Sequence, residues 1–463
     1  MRFISALLLA LALAGCSKPT PLLDRIKASG ELVVLTRNSP TTYYEDADGL
    51  AGLEYELVQL FAEQLGVKTH FIVPDSFDKI IPMISRAEAH LAAAGLTVTK
   101  GREHLVRFGP SYQEITPQLV YRAGNKRPKD IADTTEGILE IVAGSSHEEE
   151  LLRLMKKYPD LEWESRREVA SEELLHLVRE QVIDYTIADS NEVAINRRYY
   201  PKLKVAFNLT KPQPLAWAFP HAEDTSLYNA ALIFFERIKK DGTLKQLLER
   251  YYGYFERINF VDKRTFRRHM ASRLPLYIPY FKKAAKETGL DWKLLAAIGY
   301  QESHWDPKAK SPTGVRGIMM LTQATASQLG VESRLDPEQS ILGGARYLRL
   351  MEEKIPDRVA EPDRLWLALA GYNVGFGHLE DARILTQQDG GDPDKWADVK
   401  VRLPLLSQKK WYQKARHGYA RGREPVAYVD NIRSYYDLLT WANNKTLKPI
   451  KESSPLTSTP PVL

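Results

Sequence analysis

One cysteine in 463 residues is the first constraint. A lone thiol can close neither an intrachain disulfide nor a thiolate metal site, so the chain must be held by packed cores. Nothing in the sequence asks for a metal or another cofactor. A strong charge of one sign is also missing: 64 Lys and Arg stand against 59 Asp and Glu, a formal +5. Over this length that field is too thin to argue for a nucleic-acid partner. No apolar run reaches the ~20 residues a membrane-spanning helix needs. With 44% apolar and 27% charged residues, the composition excludes a disordered chain, a collagen-like repeat and a multi-span membrane protein. No fixed-period repeat is present, and at about 150 residues per domain the length suits two or three domains.

The place of the cysteine is informative. Arg2 precedes an apolar run from Ala6 to Ala14, which ends Leu13-Ala14-Gly15-Cys16. Residues 1–15 read as a signal peptide too short to span a bilayer. The ending resembles the bacterial lipobox, which implies that Cys16 is acylated and that 16–30 form a lipidated N-terminal linker. An accidental cysteine after a plain signal peptide is the alternative. Ser17, by the same resemblance, implies the periplasmic face of the outer membrane, lipid-anchored or peripheral. Multiple acyl chains anchor stably where one is marginal.

Two halves follow with different patterns. From Leu32 to about Arg257 strands alternate with helices. Leu32–Leu35 is a short apolar run, Glu54–Leu65 carries Leu57, Phe61 and Leu65 on one face before Gly66, and Val67–Val73 alternates. Ile138–Ala143, His147–Lys157 and Tyr185–Ala188 continue the series. The expectation is an α/β domain with a largely parallel sheet, over 31–257. Beyond it the pattern is helical: Leu276–Glu287, Asp291–Ser303, Gln323–Leu329, Ile341–Lys354 and Arg364–Tyr372. Pro279 is expected in or near a first helical turn, where proline is tolerated. Residues 258–273 form a connector, 274–444 an all-α domain, and 445–463, rich in Ser, Thr and Pro, a disordered tail.

In the second half Leu294, Ile298 and Glu302 are spaced i, i+4, i+8 and share a helical face. A carboxylate at the end of a buried stripe needs a cation or a raised pKa, and a raised pKa suits a general acid near neutral pH. A Glu turned into water at the helix end is the plainer reading. The neighbouring residues decide between them. Glu302-Ser303-His304-Trp305 resembles the Glu-Ser motif of the soluble-type lytic transglycosylases. Gly317-Ile318-Met319-Met320 is similar to their Gly-Leu-Met-Gln, with Met320 in the glutamine's place. Ala370-Gly371-Tyr372-Asn373-Val374-Gly375 and Tyr428-Val429-Asp430-Asn431-Ile432 match the third and fourth motifs, in order.

That resemblance implies a goose-type lysozyme-like fold and peptidoglycan glycan strands as substrate. Cleavage would leave 1,6-anhydromuramoyl ends, with Glu302 as the sole acid and base. Ser303, Met319, Met320, Tyr372, Asn373 and Tyr428 would contact sugar; ordinary core packing is the other reading of the two tyrosines. Glycoside cleavage usually takes two carboxylates. Asp306, in Asp-Pro after the helix, reads as a turn. The resemblance implies that the muramic acid 6-hydroxyl supplies the nucleophile, a tethered attack with a large effective molarity. The acid-free run Ser407–Arg423, with Lys409, Lys410, Lys414, Arg416, Arg421 and Arg423, is either solvated surface or a basic wall facing stem-peptide carboxylates.

In the first half, Gly49–Leu57 resembles the opening of family-3 periplasmic solute-binding proteins. Gly95-Leu96-Thr97-Val98-Thr99-Lys100-Gly101-Arg102 matches their Gly-x-Thr-x-Thr-x-x-Arg segment. The resemblance implies two lobes, about 30–115 with 212–255, and about 116–211. It also implies a free amino acid or small peptide held by Arg102 on its carboxylate and Asp189 on its amine, with Thr97, Tyr43 and Tyr44 around it. An interlobe salt bridge through Arg102 and an empty cleft is the alternative. The whole resembles the membrane-bound lytic murein transglycosylases, carbon–oxygen lyases acting on polysaccharide. A solute receptor whose second half only docks peptidoglycan, and a hydrolytic muramidase, remain the rival readings.

Overall fold

A computed structural model describes residues 20–45, 50–200, 202–253, 260–311 and 314–446. Cys16 and most of the expected tail lie outside these.

The first domain holds two five-stranded sheets. One runs Lys68–Ile72, Glu31–Leu35, Leu91–Ala92, Ala218–Pro220, Val106–Phe108. The other runs Glu164–Arg166, Leu139–Val142, Tyr185–Asp189, Pro117–Arg122, Leu203–Asn208. Each is parallel at one side only. Ala218–Pro220 pairs antiparallel to both its neighbours, and Pro117–Arg122 does the same in the second sheet. The expectation of a largely parallel sheet is corrected here. The antiparallel strands lie next to where the chain passes from one lobe to the other. At that passage Gln113–Ile115 pairs antiparallel with Gln213–Leu215 as a two-stranded hinge.

Helix Leu53–Leu65 buries Leu53, Leu57, Val58, Phe61 and Ala62 against the first sheet, the one-sided apolar stripe of a covering helix. Gly66, at φ 73°, ends it by donating to the Ala62 and Glu63 carbonyls. Beneath it the buried carboxylate of Glu54 accepts from Gly95 N (2.8 Å), Trp217 Nε1 (2.7 Å) and the Tyr112 hydroxyl. A fully hydrogen-bonded carboxylate of this kind fixes the core rather than doing chemistry.

The second domain is helical. Phe260–Ser272, the stretch expected as a connector, is a helix whose Phe266 is fully buried, stacked on Tyr435 at 4.8 Å and edge-on to Tyr300 at 4.6 Å. Burying such a ring stabilises by about 2–3 kcal/mol, which makes this segment core. Pro279 sits deeper than expected, in the second turn of Leu274–Thr288. The helix also starts earlier than its apolar spacing suggests, so proline deletes one internal hydrogen bond there. Trp292–Ser303 is the central helix: Leu294 to Tyr300 are all buried, and Asp291 caps its start by accepting from Lys293 N at 2.8 Å. Pro337–Lys354, Asp363–Val374, Phe376–Gln388 and Arg423–Thr446 surround it.

The domains meet at a desolvated cation. Arg433, on Arg423–Thr446, donates to the Glu249 and Arg250 carbonyls (3.1 and 2.9 Å) at the C-terminal end of helix Thr243–Tyr252. Its guanidinium lies 3.9 Å from the Trp366 ring centroid, and Glu249 also pairs with Lys400 at 2.6 Å. A cation on the last carbonyls of a helix satisfies groups with no partner inside the helix.

Candidate active site

Glu302 occupies the last turn of the central helix, partly accessible. The chain then turns through two consecutive non-glycine residues in the left-handed region, His304 at φ 55° and Trp305 at φ 57°. Each costs about 1–2 kcal/mol. The buried Trp305 indole holds the turn by donating to the Ala296 carbonyl at 2.8 Å. Ser303 is committed within the protein: its hydroxyl donates to the Ile318 carbonyl (2.8 Å) and accepts from Asp306 N (3.2 Å). It ties the helix end to the loop of the second motif. Asp306 accepts from Lys308 N at 2.9 Å, as a turn aspartate does.

The Tyr428 hydroxyl donates to Glu302 Oε1 at 2.5 Å from the long helix Arg423–Thr446. Burial pushes the Glu302 carboxyl up to about 7, and the Tyr428 hydrogen bond offsets part of that. Among the described residues no cation or second carboxylate contributes to its shift. Tyr372 stacks on Tyr428 with centroids 6.3 Å apart and planes 17° from parallel, and donates to the Met319 carbonyl at 3.2 Å. Burial and the nearby carboxylate hold both phenols well above their usual range, so both stay donors. Asn373 is exposed beside them.

Met319 corrects an expectation. Its side chain is fully buried, filling the space over Gly344, where an added Cβ would lie 2.6 Å from the Met319 terminal methyl. Only its carbonyl reaches the site. Met320 is half-buried at φ 48°, a strained left-handed position beside the site. Tyr347, edge-on to Tyr372 at 5.0 Å, was not singled out from the sequence. It sits on an ordinary apolar face of Pro337–Lys354, and only packing brings it to the site.

In the first domain Thr97, Arg102 and Asp189 line one cavity, but its volume is about 20 Å³. That is room for about one water molecule. Arg102 donates to Glu149 Oε1 (2.7 Å), the Gly144 carbonyl (2.9 Å) and the Thr97 carbonyl (3.3 Å). Asp189 Oδ1 accepts from His147 Nε2 at 2.9 Å. Arg37 pairs with Glu192 at 2.5 Å, and Ser39 donates to Glu172 at 3.0 Å. Both charges expected to face a ligand are thus paired across or within the closed lobes. Tyr43 and Tyr44 are absent from the lining, a second correction. Tyr43 packs outside on Phe71 and Tyr55 (5.1 and 5.9 Å), and Tyr44 is buried in a short strand. Strand pairing of Tyr44 with Ala51 turns the segment away from the cleft. The aromatic at the cavity is Phe77, with the Arg37 guanidinium 5.1 Å from its centroid.

The family described as bacterial extracellular solute-binding proteins, family 3, matches residues 32–254, and the transglycosylase SLT domain matches 279–394. Tyr428 falls beyond the second match. Membrane-bound lytic murein transglycosylase F 1 of Alkalilimnicola ehrlichii is 52% identical over 423 residues, 91% of this chain and 86% of that protein. Membrane-bound lytic murein transglycosylase F of Saccharophagus degradans is 48% identical over 432 residues, 93% of this chain and 86% of that protein. The solved cysteine-binding protein of Campylobacter jejuni is 15% identical, with a TM-score of 0.47, and covers 52% of this chain and 97% of its own. Among the described residues no helix is long and apolar enough to cross a membrane. Identity near half, sustained along nearly the whole length of both proteins, places the chain in the family of membrane-bound lytic murein transglycosylase F.

Proposed function

We propose that the protein is a peptidoglycan lytic transglycosylase that cleaves the β-1,4 bond from N-acetylmuramic acid to N-acetylglucosamine. The carrying observation is the Glu302 carboxyl at the end of the central helix, held by the Tyr428 hydroxyl at 2.5 Å and pushed by burial to about 7. Among the described residues no second carboxylate acts on it. Glu302 gives its proton to the leaving glycosidic oxygen as the C1–O bond breaks. The 6-hydroxyl of the same muramoyl residue attacks C1 and returns its proton to Glu302, so no water enters. A tethered hydroxyl reaches effective molarities of about 10⁵ M or more. Tyr428 and Tyr372 orient the acid, and exposed Asn373 is placed to contact sugar. Mass spectrometry of digested murein tests this: lytic products are lighter by one water than those of a muramidase. Hydrated reducing ends would replace this reading by the hydrolytic one, and intact murein would leave a docking receptor.

Tyr428→Phe carries its own signature. The hydrogen bond favours the carboxylate, so its loss raises the Glu302 pKa and moves the alkaline limb of kcat/KM to higher pH. The rate should fall about tenfold at the optimum. A limb that stays in place, or moves down, would remove Tyr428 from contact with the acid.

The N-terminal domain, in this reading, takes a free amino acid or small peptide in its cleft and biases the enzyme. The lobes must first open, because Glu149 occupies the guanidinium that a ligand carboxylate needs. Glu149→Gln should therefore bind its best amino acid about tenfold more tightly than the wild type in calorimetry. No heat with either protein across the common amino acids and murein peptides would end the ligand reading. We further propose that Cys16 is acylated and holds the protein at the outer membrane. Cys16→Ala should then leave activity intact and move the protein to the soluble fraction. Continued sedimentation with outer membranes would point to another anchor.

A further inference from the structure

The acid-free run Ser407–Arg423, which includes helix Lys409–Tyr412, is a fixed surface that leads into the helix carrying Tyr428. Its backbone is anchored from both sides. The buried Asp381 carboxylate accepts from Arg416 N (3.1 Å) and His417 N (2.8 Å), and Ala420 N donates to the Leu406 carbonyl at 3.1 Å. Asp381 lies on helix Phe376–Gln388, which begins directly after Tyr372 and Asn373; the other end of the segment runs into the helix that carries Tyr428. The His417 ring fills the space left by Gly377, where a Cβ would lie 2.8 Å from it. The loop is therefore fixed between the helix that follows the Tyr372 segment and the helix that carries Tyr428.

On this frame Lys409, Lys410, Lys414, Arg416, Arg421 and Arg423 are all exposed. Among the described residues only Arg421 has an ion-pair partner, Glu424 at 3.3 Å, itself exposed. Aromatic rings lie between the cations: Lys410 sits 5.2 Å from the Trp411 centroid, and Tyr412 meets Tyr419 edge-on at 5.7 Å, with Tyr419 56% exposed. Mostly unpaired cations beside half-buried and exposed rings fit a ligand that is anionic and partly carbohydrate.

We propose that this basic, aromatic strip binds the carboxylates of the peptides that hang from the glycan strand, so that the enzyme reads peptide-bearing murein in preference to bare glycan. The proposal rests on the transglycosylase reading above and names which part of the substrate meets the protein outside the cleaved bond. Five of the six cations have no ion-pair partner among the described residues, and their mutual repulsion is relieved where an anion shares the surface.

Binding, not turnover, tests it. In full-length Glu302→Gln protein, which leaves its ligand intact, Lys409, Lys410, Lys414 and Arg416 are changed together to Gln. Co-sedimentation is measured with intact murein sacculi and with sacculi stripped of peptides by an amidase. The expected result is about tenfold weaker binding to intact sacculi and less than about twofold change on stripped ones. Raising salt past physiological strength should reduce the difference, since the screening length there is about 8 Å or less. Lys410→Glu alone, scored by the same assay, should weaken binding to intact sacculi more than Lys410→Gln and covers the case of a misfolded quadruple variant. Equal weakening on both sacculi, or none on either, overturns the proposal. So does unchanged murein binding with loss of binding to phosphatidylglycerol vesicles, which would assign the strip to a lipid surface. Absence of anhydro ends from wild-type digests would remove the lytic reading alone, because the binding comparison needs no cleavage.

Discussion

Glu302→Gln is expected to lower kcat by at least about 100-fold while leaving the fold in place. The amide keeps the carboxyl's shape and its acceptor for the Tyr428 hydroxyl, and removes only the transferable proton. A residual rate within about tenfold of the wild type would show that another group protonates the leaving oxygen. The pH dependence follows from the same residue. A general acid at about 7 is protonated below that pH, so wild-type kcat/KM should fall as pH rises through 7. Stability follows the same sign. The folded carboxyl titrates above its unfolded value of 4.5, so its stabilising contribution is complete below about 4.5 and is lost as pH rises through 7. The glutamine variant has no such loss, and relative to wild type it should gain up to about 3 kcal/mol between pH 4 and pH 8. Denaturant midpoints at the two pH values measure this. An unchanged difference would mean that the carboxyl is not desolvated.

The active site was legible to the extent that its geometry is local. Glu302 and its helix can be read because i, i+4, i+8 spacing fixes a face, and the turn that follows is written in the adjacent residues. Tyr372 and Tyr428 were recoverable from motifs, although their stacking joins residues 56 positions apart along the chain. Tyr347 and the Met319 carbonyl were not, since an aromatic on an apolar helix face and a backbone oxygen carry no pattern of their own. The motif resemblance also gave Met319 a sugar contact that full burial of its side chain excludes.

The first domain shows the converse limit. Arg102 and Asp189 come to one cavity, but their charges meet Glu149 and His147, which no motif announced. Pairing of buried charges is a tertiary event, decided by which side chain of the opposite lobe reaches the guanidinium first. Tyr43 and Tyr44 were misplaced for a related reason: Tyr43 packs on Phe71 and Tyr55, and Tyr44 is buried in a two-residue strand paired with Ala51. The expected connector proved to be part of the helical core, as the full burial of Phe266 shows.

Gly317→Ala should be the most damaging small substitution in the catalytic loop. Gly317 has φ 83°, and a Cβ there would lie 1.8 Å from the Arg334 carbonyl oxygen and 2.8 Å from Ser340 Oγ. Neither obstacle is the free end of a flexible side chain: one is backbone, and the other holds Met319 N at 3.2 Å. The loop would have to move, carrying the Met319 carbonyl away from Tyr372 and the Ile318 carbonyl away from Ser303. Gly314 separates the two costs. It has the same φ of 83° but no described residue within 4 Å of its Cβ position, so Gly314→Ala meets only the backbone penalty. That is about 1 kcal/mol, whereas the clash at Gly317 should bring the loss to about 3 kcal/mol or more. For a domain of this size the second figure is a fall of about 8 °C in the melting temperature. Activity should fall with it, since both ties between the loop and the helix end depend on the loop's position. Equal melting temperatures for the two variants would mean that the Arg334 carbonyl yields freely, and the loop would then not be what holds Tyr372 and Ser303 beside Glu302.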